Sequence, residues 1–117
     1  MEGVVFFKEF NVVKFLERGA LEVWNKLKVG EQVSLEKDEK DPNIILVKLD
    51  NLPCGELPEQ ECKIIRDFFK QGWGGVFKAW ICKRNEEALY DQRISIAVYI
   101  ISNSNSEKVT EQKTGQK

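Results

Sequence analysis

The chain contains no histidine, so the side chain that most often ligates metals, acts as general base and changes charge near neutral pH is missing. Cysteine is scarce, and Cys54, Cys62 and Cys82 are the full set. Their number is odd, no two are spaced as Cys-x-x-Cys, and no histidine completes a zinc site, so reduced, partly buried thiols are expected. A nucleophilic cysteine would also lack its usual activating partner. Free thiols point to a reducing, intracellular compartment. No apolar run approaches the ~20 residues of a bilayer-spanning helix. The opening MEGVVFFKEF is interrupted by Glu2, Lys8 and Glu9 and has neither a basic leader nor a small-residue cleavage site, so no secretory signal is read there. Together these absences predict a soluble, cytoplasmic protein without membrane contact.

What is present is enough for one core. The chain has 117 residues, 42% of them hydrophobic and 32% charged, which fits a single folded domain and leaves no room for a second. Eighteen Lys and Arg face 19 Asp and Glu, a net charge of −1, which argues against a grip on duplex DNA through many phosphates. The charge is uneven. Residues 31–67 hold ten acids and five bases, whereas residues 68–93 hold five bases and three acids. An anionic ligand is therefore expected near the second segment.

Nothing in the sequence offers an enzyme. Asp38/Glu39, Glu59/Glu61 and Glu86/Glu87 are adjacent carboxylates that read as solvated surface charge. No serine-nucleophile motif and no metal-ligand cluster occurs. The Gly72-Trp73-Gly74-Gly75 turn lacks the Lys-Ser/Thr ending of a phosphate loop and reads as a helix C-cap. No catalysis, cofactor or metal is expected.

Val4–Leu16 is rich in Val and Phe and predicts one or two strands, with apolar residues on both faces reconciled by a bulge near Lys8-Glu9. Ala20, Val23, Trp24 and Leu27 share one face of a short helix over 20–28. Glu31–Glu36 alternates as a strand, and LEKDEKDPN (residues 35–43) is a charged turn punctuated by Pro42 and Asn43. Ile44–Leu49 is apolar on both faces, as in a central strand. Residues 51–55 read as a second turn. Pro58 reads as the first residue of a helix whose buried stripe is Cys62, Ile65, Phe68 and Phe69. Gly72 caps that helix, and Glu59–Lys63 and Lys63–Asp67 are its i,i+4 ion pairs. Val76–Lys83 is a strand, Arg84–Tyr90 a hairpin or loop, and Ile94–Ile100 alternates as a last strand. From residue 103 the composition becomes NSNSEKVTEQKTGQK, too polar to fold. The expected organisation is a domain over 1–102 with a disordered tail over 103–117. The fold class is mainly β with two helices (α+β), a small OB-like or SH3-like β-barrel.

One strand carries a binding pattern. If Phe77, Ala79 and Ile81 face the core, Lys78, Trp80 and Arg84 share the opposite face. There an indole between two cations can stack a base while the cations hold flanking phosphates. Tyr99 joins them if the last two strands pair. The alternative is that Trp80 is covered by a helix or by the tail.

Three stretches carry a family resemblance. They are Val29-Gly30-Glu31-Gln32-Val33-Ser34-Leu35-Glu36, then Asp41-Pro42-Asn43-Ile44-Ile45-Leu46-Val47, then Cys54-Gly55-Glu56-Leu57-Pro58. In order and spacing they resemble the HIRAN domain, over roughly residues 6–101. The resemblance implies an OB-like barrel with two helices and a noncatalytic nucleic-acid module. In relatives, that module binds single-stranded DNA and its free 3′-hydroxyl end. It also implies work beside a helicase or nuclease partner protein, as in DNA repair. Carried over, the end pocket takes Lys14, Phe15, Asp41 and Asn43, with Phe15 where end-binding members have tyrosine and Asp41 accepting the hydroxyl proton. Lys40 stands where the family commonly has an aromatic. Glu56 and Glu59 stand where it often has an aromatic or histidine and a base. The expectation is weak binding of single-stranded DNA, with Lys78, Trp80 and Arg84 helping. The competing expectation is a protein-interaction module that keeps the barrel and engages a partner through its acidic 31–67 side or its tail.

Overall fold

A computed structural model of the protein describes residues 3–101; the tail expected over 103–117 lies outside the described residues. Six strands form one antiparallel sheet: β1 (Val4–Asn11), β2 (Gln32–Lys37), β3 (Ile45–Leu49), β4 (Leu52–Glu56), β5 (Phe77–Arg84) and β6 (Ile94–Ile101). Their spatial order is β1-β6-β5-β2-β3-β4. The last strand in sequence thus lies between the first and the fifth, burying Ile94, Ile96 and Val98 at the centre of the sheet.

The sheet curls until its two ends meet at one point. Val13, past the end of β1, and Glu56, the last residue of β4, exchange both backbone hydrogen bonds, at 2.9 and 2.8 Å. A single bridge is not a ladder, and the sheet is not closed, so the expected barrel is in fact a strongly curled open sheet. Gly55 makes the meeting possible. A Cβ there would press on the Val12 side chain and lie 2.8 Å from the Val13 carbonyl oxygen, and only glycine lets two backbones approach so closely.

Several boundaries differ from the sequence reading for identifiable reasons. β1 stops at Asn11, and Lys14 turns the chain with φ of 55°. The bulge falls at Phe7, between Phe6 and Lys8 in the pairing with β6. Residues 51–55 are not a turn. The turn is the pair Asp50-Asn51, at φ 52° and 67°, which joins Leu49 to its partner Leu52. Positive φ at both central residues is the tight hairpin geometry that Asp and Asn tolerate. Pro53 then sits in the end strand β4 beside a register shift, where a missing N–H costs no inner ladder bond.

The helix expected from Pro58 begins later, as α1 (Lys63–Lys70). Pro58–Glu61 forms a separate turn, with Glu61 N–H donating to Pro58 C=O at 3.0 Å. Consequently the Lys63–Asp67 pair forms, at 2.8 Å, while Glu59 lies outside the helix. Gly72, at φ 80°, ends it as expected. Trp73 N–H reaches Phe68 C=O and Gly72 N–H reaches Phe69 C=O, at 2.8 and 3.0 Å, the paired bonds of a Schellman cap.

Two helical segments cover the core at opposite ends of β5. Phe68 and Phe69 of α1 pack on Phe77, with ring centroids 5.3 and 6.4 Å away. A 3-10 helix over Ala20–Lys26 buries Ala20 and Val23, followed by buried Leu27. All three cysteines are free thiols; Cys54 and Cys62 are buried and Cys82 is half-buried. Burial pushes the Cys54 thiol up to about 12, as desolvation penalises the thiolate. Among the described residues, no helix is long and apolar enough to cross a membrane.

Candidate nucleic-acid interface

The strand register decides what the outer face of the sheet presents. Phe6 pairs with Tyr99 and Tyr99 with Lys78, while Ala97 pairs with Trp80 and Trp80 with Gln32. Directly paired residues point to the same side. The opposite side is occupied by buried Ala79, Ile81, Ile96 and Val98, so Phe6, Tyr99, Lys78 and Trp80 all face outward. The rings form a row of edge contacts, Phe6–Tyr99 at 5.6 Å and 72° and Trp80–Tyr99 at 5.5 Å and 77°. Phe6 is 55% exposed, and Trp80 and Tyr99 are half-buried. Trp80 and Tyr99 edge a shallow apolar cavity of about 480 Å³ that also takes in Val4, Val29 and Cys82.

Trp80, Lys78 and Tyr99 thus come together as the alternation of β5 predicts. Arg84 does not join them. The register with β6 slips between Ile81 and Lys83, and this extra residue, Cys82, reverses the alternation beyond it. Arg84 is therefore paired with buried Ile94 and turns towards the 3-10 helix. Its Nη1 donates to the carbonyls of Trp24 and Leu27 at 3.1 and 2.9 Å, and its guanidinium lies 4.0 Å from the Trp24 ring centroid. Lys83 takes an outward position instead and pairs with Glu9 at 3.1 Å.

The residues of the expected end pocket are placed differently. Phe15 is completely buried. Its ring stacks on Tyr90 at 5.8 Å and 12° and meets Trp24 edge-on at 5.7 Å, and its N–H donates to the Asp91 carboxylate at 3.1 Å. No face of that ring is left for a base. Lys14 beside it is exposed. Asp41 spends a carboxylate oxygen on its own turn, accepting the Asn43 N–H at 2.9 Å, and Asn43 is exposed. Arg18 ties this region together. Its Nε and Nη2 both reach one Glu56 oxygen at 2.8 Å, and Asp38 lies 3.9 Å away. Glu56 therefore acts as the ion-pair partner that holds the 14–19 turn to β4.

Sequence reasoning missed a cluster built from three distant segments. Arg93 lies 4.6 Å from the Tyr90 ring centroid, 5.7 Å from that of Trp24 and 6.0 Å from that of Phe15. With Arg84 on the same indole, two guanidiniums gather around Trp24. They line a second cavity of about 770 Å³ with Lys83, Asn85, Gln92 and Ser95. Val29 and Cys82 border both cavities, so the aromatic row and the cationic groove are continuous. The local excess of bases over residues 68–93 was the signal that pointed here. Among the described residues, no group of three or more His, Cys, Asp or Glu is placed to hold a metal ion.

No family model matches the chain, and no curated protein matches it. A crystal structure of a protein from Lactobacillus plantarum is similar, with a TM-score of 0.67 and 16% identity over 83% of this chain and 94% of that one. At that identity the likeness concerns the fold. It supports the mainly β, helix-capped architecture as one that another chain adopts over nearly its full length.

Proposed function

We propose that this domain is a noncatalytic module that binds single-stranded nucleic acid, DNA in the first instance, across the outer face of β1, β6 and β5. The observation that carries the reading is the row Phe6–Tyr99–Trp80, which opens to solvent and runs into a cationic groove. Aromatic faces stack unpaired bases at about 1–3 kcal/mol per base, and cations beside them follow the backbone. The near-neutral net charge suits this mode, since a single strand on a short basic stretch needs few phosphate contacts. The reading moves the ligand away from the HIRAN-type end pocket, because Phe15 is packed between Trp24 and Tyr90.

Fluorescence anisotropy of labelled oligothymidylate at low salt tests it. Trp80→Ala should weaken binding about 5- to 150-fold, the equivalent of one stacked base. The logarithm of affinity should fall with that of salt by about 0.7 per phosphate contacted. Binding that ignores both Trp80 and salt would remove the proposal, and comparison of 3′-hydroxyl with 3′-phosphate ends reports whether the strand end matters.

A further inference from the structure

Arginines on a protein surface usually find carboxylates, and in this fold Arg18 does. Arg66 does not, donating instead to the Glu59 carbonyl and the Cys62 Sγ just before its own helix, and Arg84 and Arg93 differ from both. Among the described residues neither forms a salt bridge. Each donates only to backbone carbonyls, Arg84 to Trp24 and Leu27 and Arg93 to Ala88 at 3.0 Å. The one carboxylate bordering their groove, Glu9, is engaged by Lys83 at 3.1 Å. Two half-buried positive charges are thus held 4.0 and 5.7 Å from the centroid of one indole ring. Among the described residues no carboxylate pairs with either charge, so an incoming anion meets two guanidiniums without a competing partner. The tethers also use only part of each guanidinium: Arg84 bonds through Nη1 and Arg93 through Nε. The remaining N–H groups keep the planar fork that suits phosphate oxygens. Asn85, Gln92 and Ser95 supply neutral hydrogen-bonding groups along the same groove.

We infer that the Arg84–Arg93 groove is a phosphate-binding site. Resting on the single-stranded reading above, it takes the backbone phosphates of a strand whose bases lie on Trp80 and Tyr99. The two cavities share Val29 and Cys82, so a strand leaving the aromatic row passes into the groove.

The chain has four arginines, Arg18, Arg66, Arg84 and Arg93, which makes the unmutated protein its own control. The Nε–Hε signals of the isotope-labelled full chain are followed by NMR during titration with inorganic phosphate, against chloride at matched ionic strength. Arg84 and Arg93 should shift and saturate in phosphate only, while Arg18, held by Glu56, and Arg66 stay in place. Equal drift of all four in both anions, or no response, overturns the site. Arg93→Gln, checked for folding by its spectrum, should weaken phosphate about tenfold or more, the loss of one charged hydrogen bond; unchanged affinity overturns the site as well. Hexathymidylate then separates the two ideas. Shifts at the Trp80 indole together with both arginines support site and reading alike. Arginine shifts with phosphate but no Trp80 response to the oligonucleotide uphold the groove and end the nucleic-acid reading. A Trp80 response that leaves both arginines still keeps the reading and ends the groove.

Discussion

Truncating Phe15 to alanine separates a core residue from a ligand-stacking one. The ring has no solvent exposure and packs against Tyr90 and Trp24. Phe→Ala at such a site removes the transfer energy of the ring and leaves a cavity, about 3–5 kcal/mol together. Two aromatic contacts are lost with it, each worth about 0.5–1.5 kcal/mol within that total. Domains of this size have about 5–15 kcal/mol in all, so the variant should be severely weakened and still measurable. In urea, with a slope of about 1–1.5 kcal/mol/M, the midpoint should fall by about 2 M or more. Far-UV circular dichroism follows the unfolding, and anisotropy on the folded fraction follows single-stranded DNA binding. A surface ring that stacks a terminal base would behave oppositely. Near-normal stability combined with lost DNA binding would refute both the burial of Phe15 and the relocation of the ligand to the sheet face.

Two further outcomes follow from the same packing. Gly55→Ala places a methyl group 2.8 Å from the Val13 carbonyl oxygen, so the Val13–Glu56 bridge should open. Stability should drop by about 1–3 kcal/mol, as for overpacking, with faster amide exchange at Val13 and Glu56. Cys54, whose pKa burial pushes up to about 12 from 9.0, binds its proton more tightly folded than unfolded. Its contribution to stability is therefore complete below pH 9 and is lost as pH rises towards 12. Thermal melts should show alkaline destabilisation beginning near pH 9 that Cys54→Ala lessens, and a thiol reagent at pH 8 should modify half-buried Cys82 before Cys54.

Local pattern made much of the fold legible. The alternation of Phe77, Ala79 and Ile81 placed Trp80 and Lys78 together on the opposite face, and the Gly72 cap ended α1 where glycine's freedom predicts. The apolar run before Asp50 announced a strand buried on both faces. These are short-range effects, set by period, propensity and backbone strain. The start of α1 was misread because Pro58 and the acids after it satisfy helix-start rules in isolation, yet the chain there turns separately before Cys62. Residues 51–55 hold Pro and Gly, which usually mark a turn. Here Pro53 finds a place at the end of the sheet and Gly55 a place against Val12.

The sequence alone settled the mainly β class, the two covering helices and the basic bias of residues 68–93, and left Trp80 open between an outward and a covered position. Only the tertiary structure decided that Phe15 lies in the core, that Arg84 leaves the Trp80 face, and that Arg93 joins it beside Trp24. The reason is the same in each case. A strand's parity after a bulge is set by its pairing with a neighbouring strand, here Lys83 with Ser95, and a side chain's surroundings by partners 60 to 76 residues away, such as Trp24 for Arg84 and Asp91 for Phe15. No local periodicity encodes such partners.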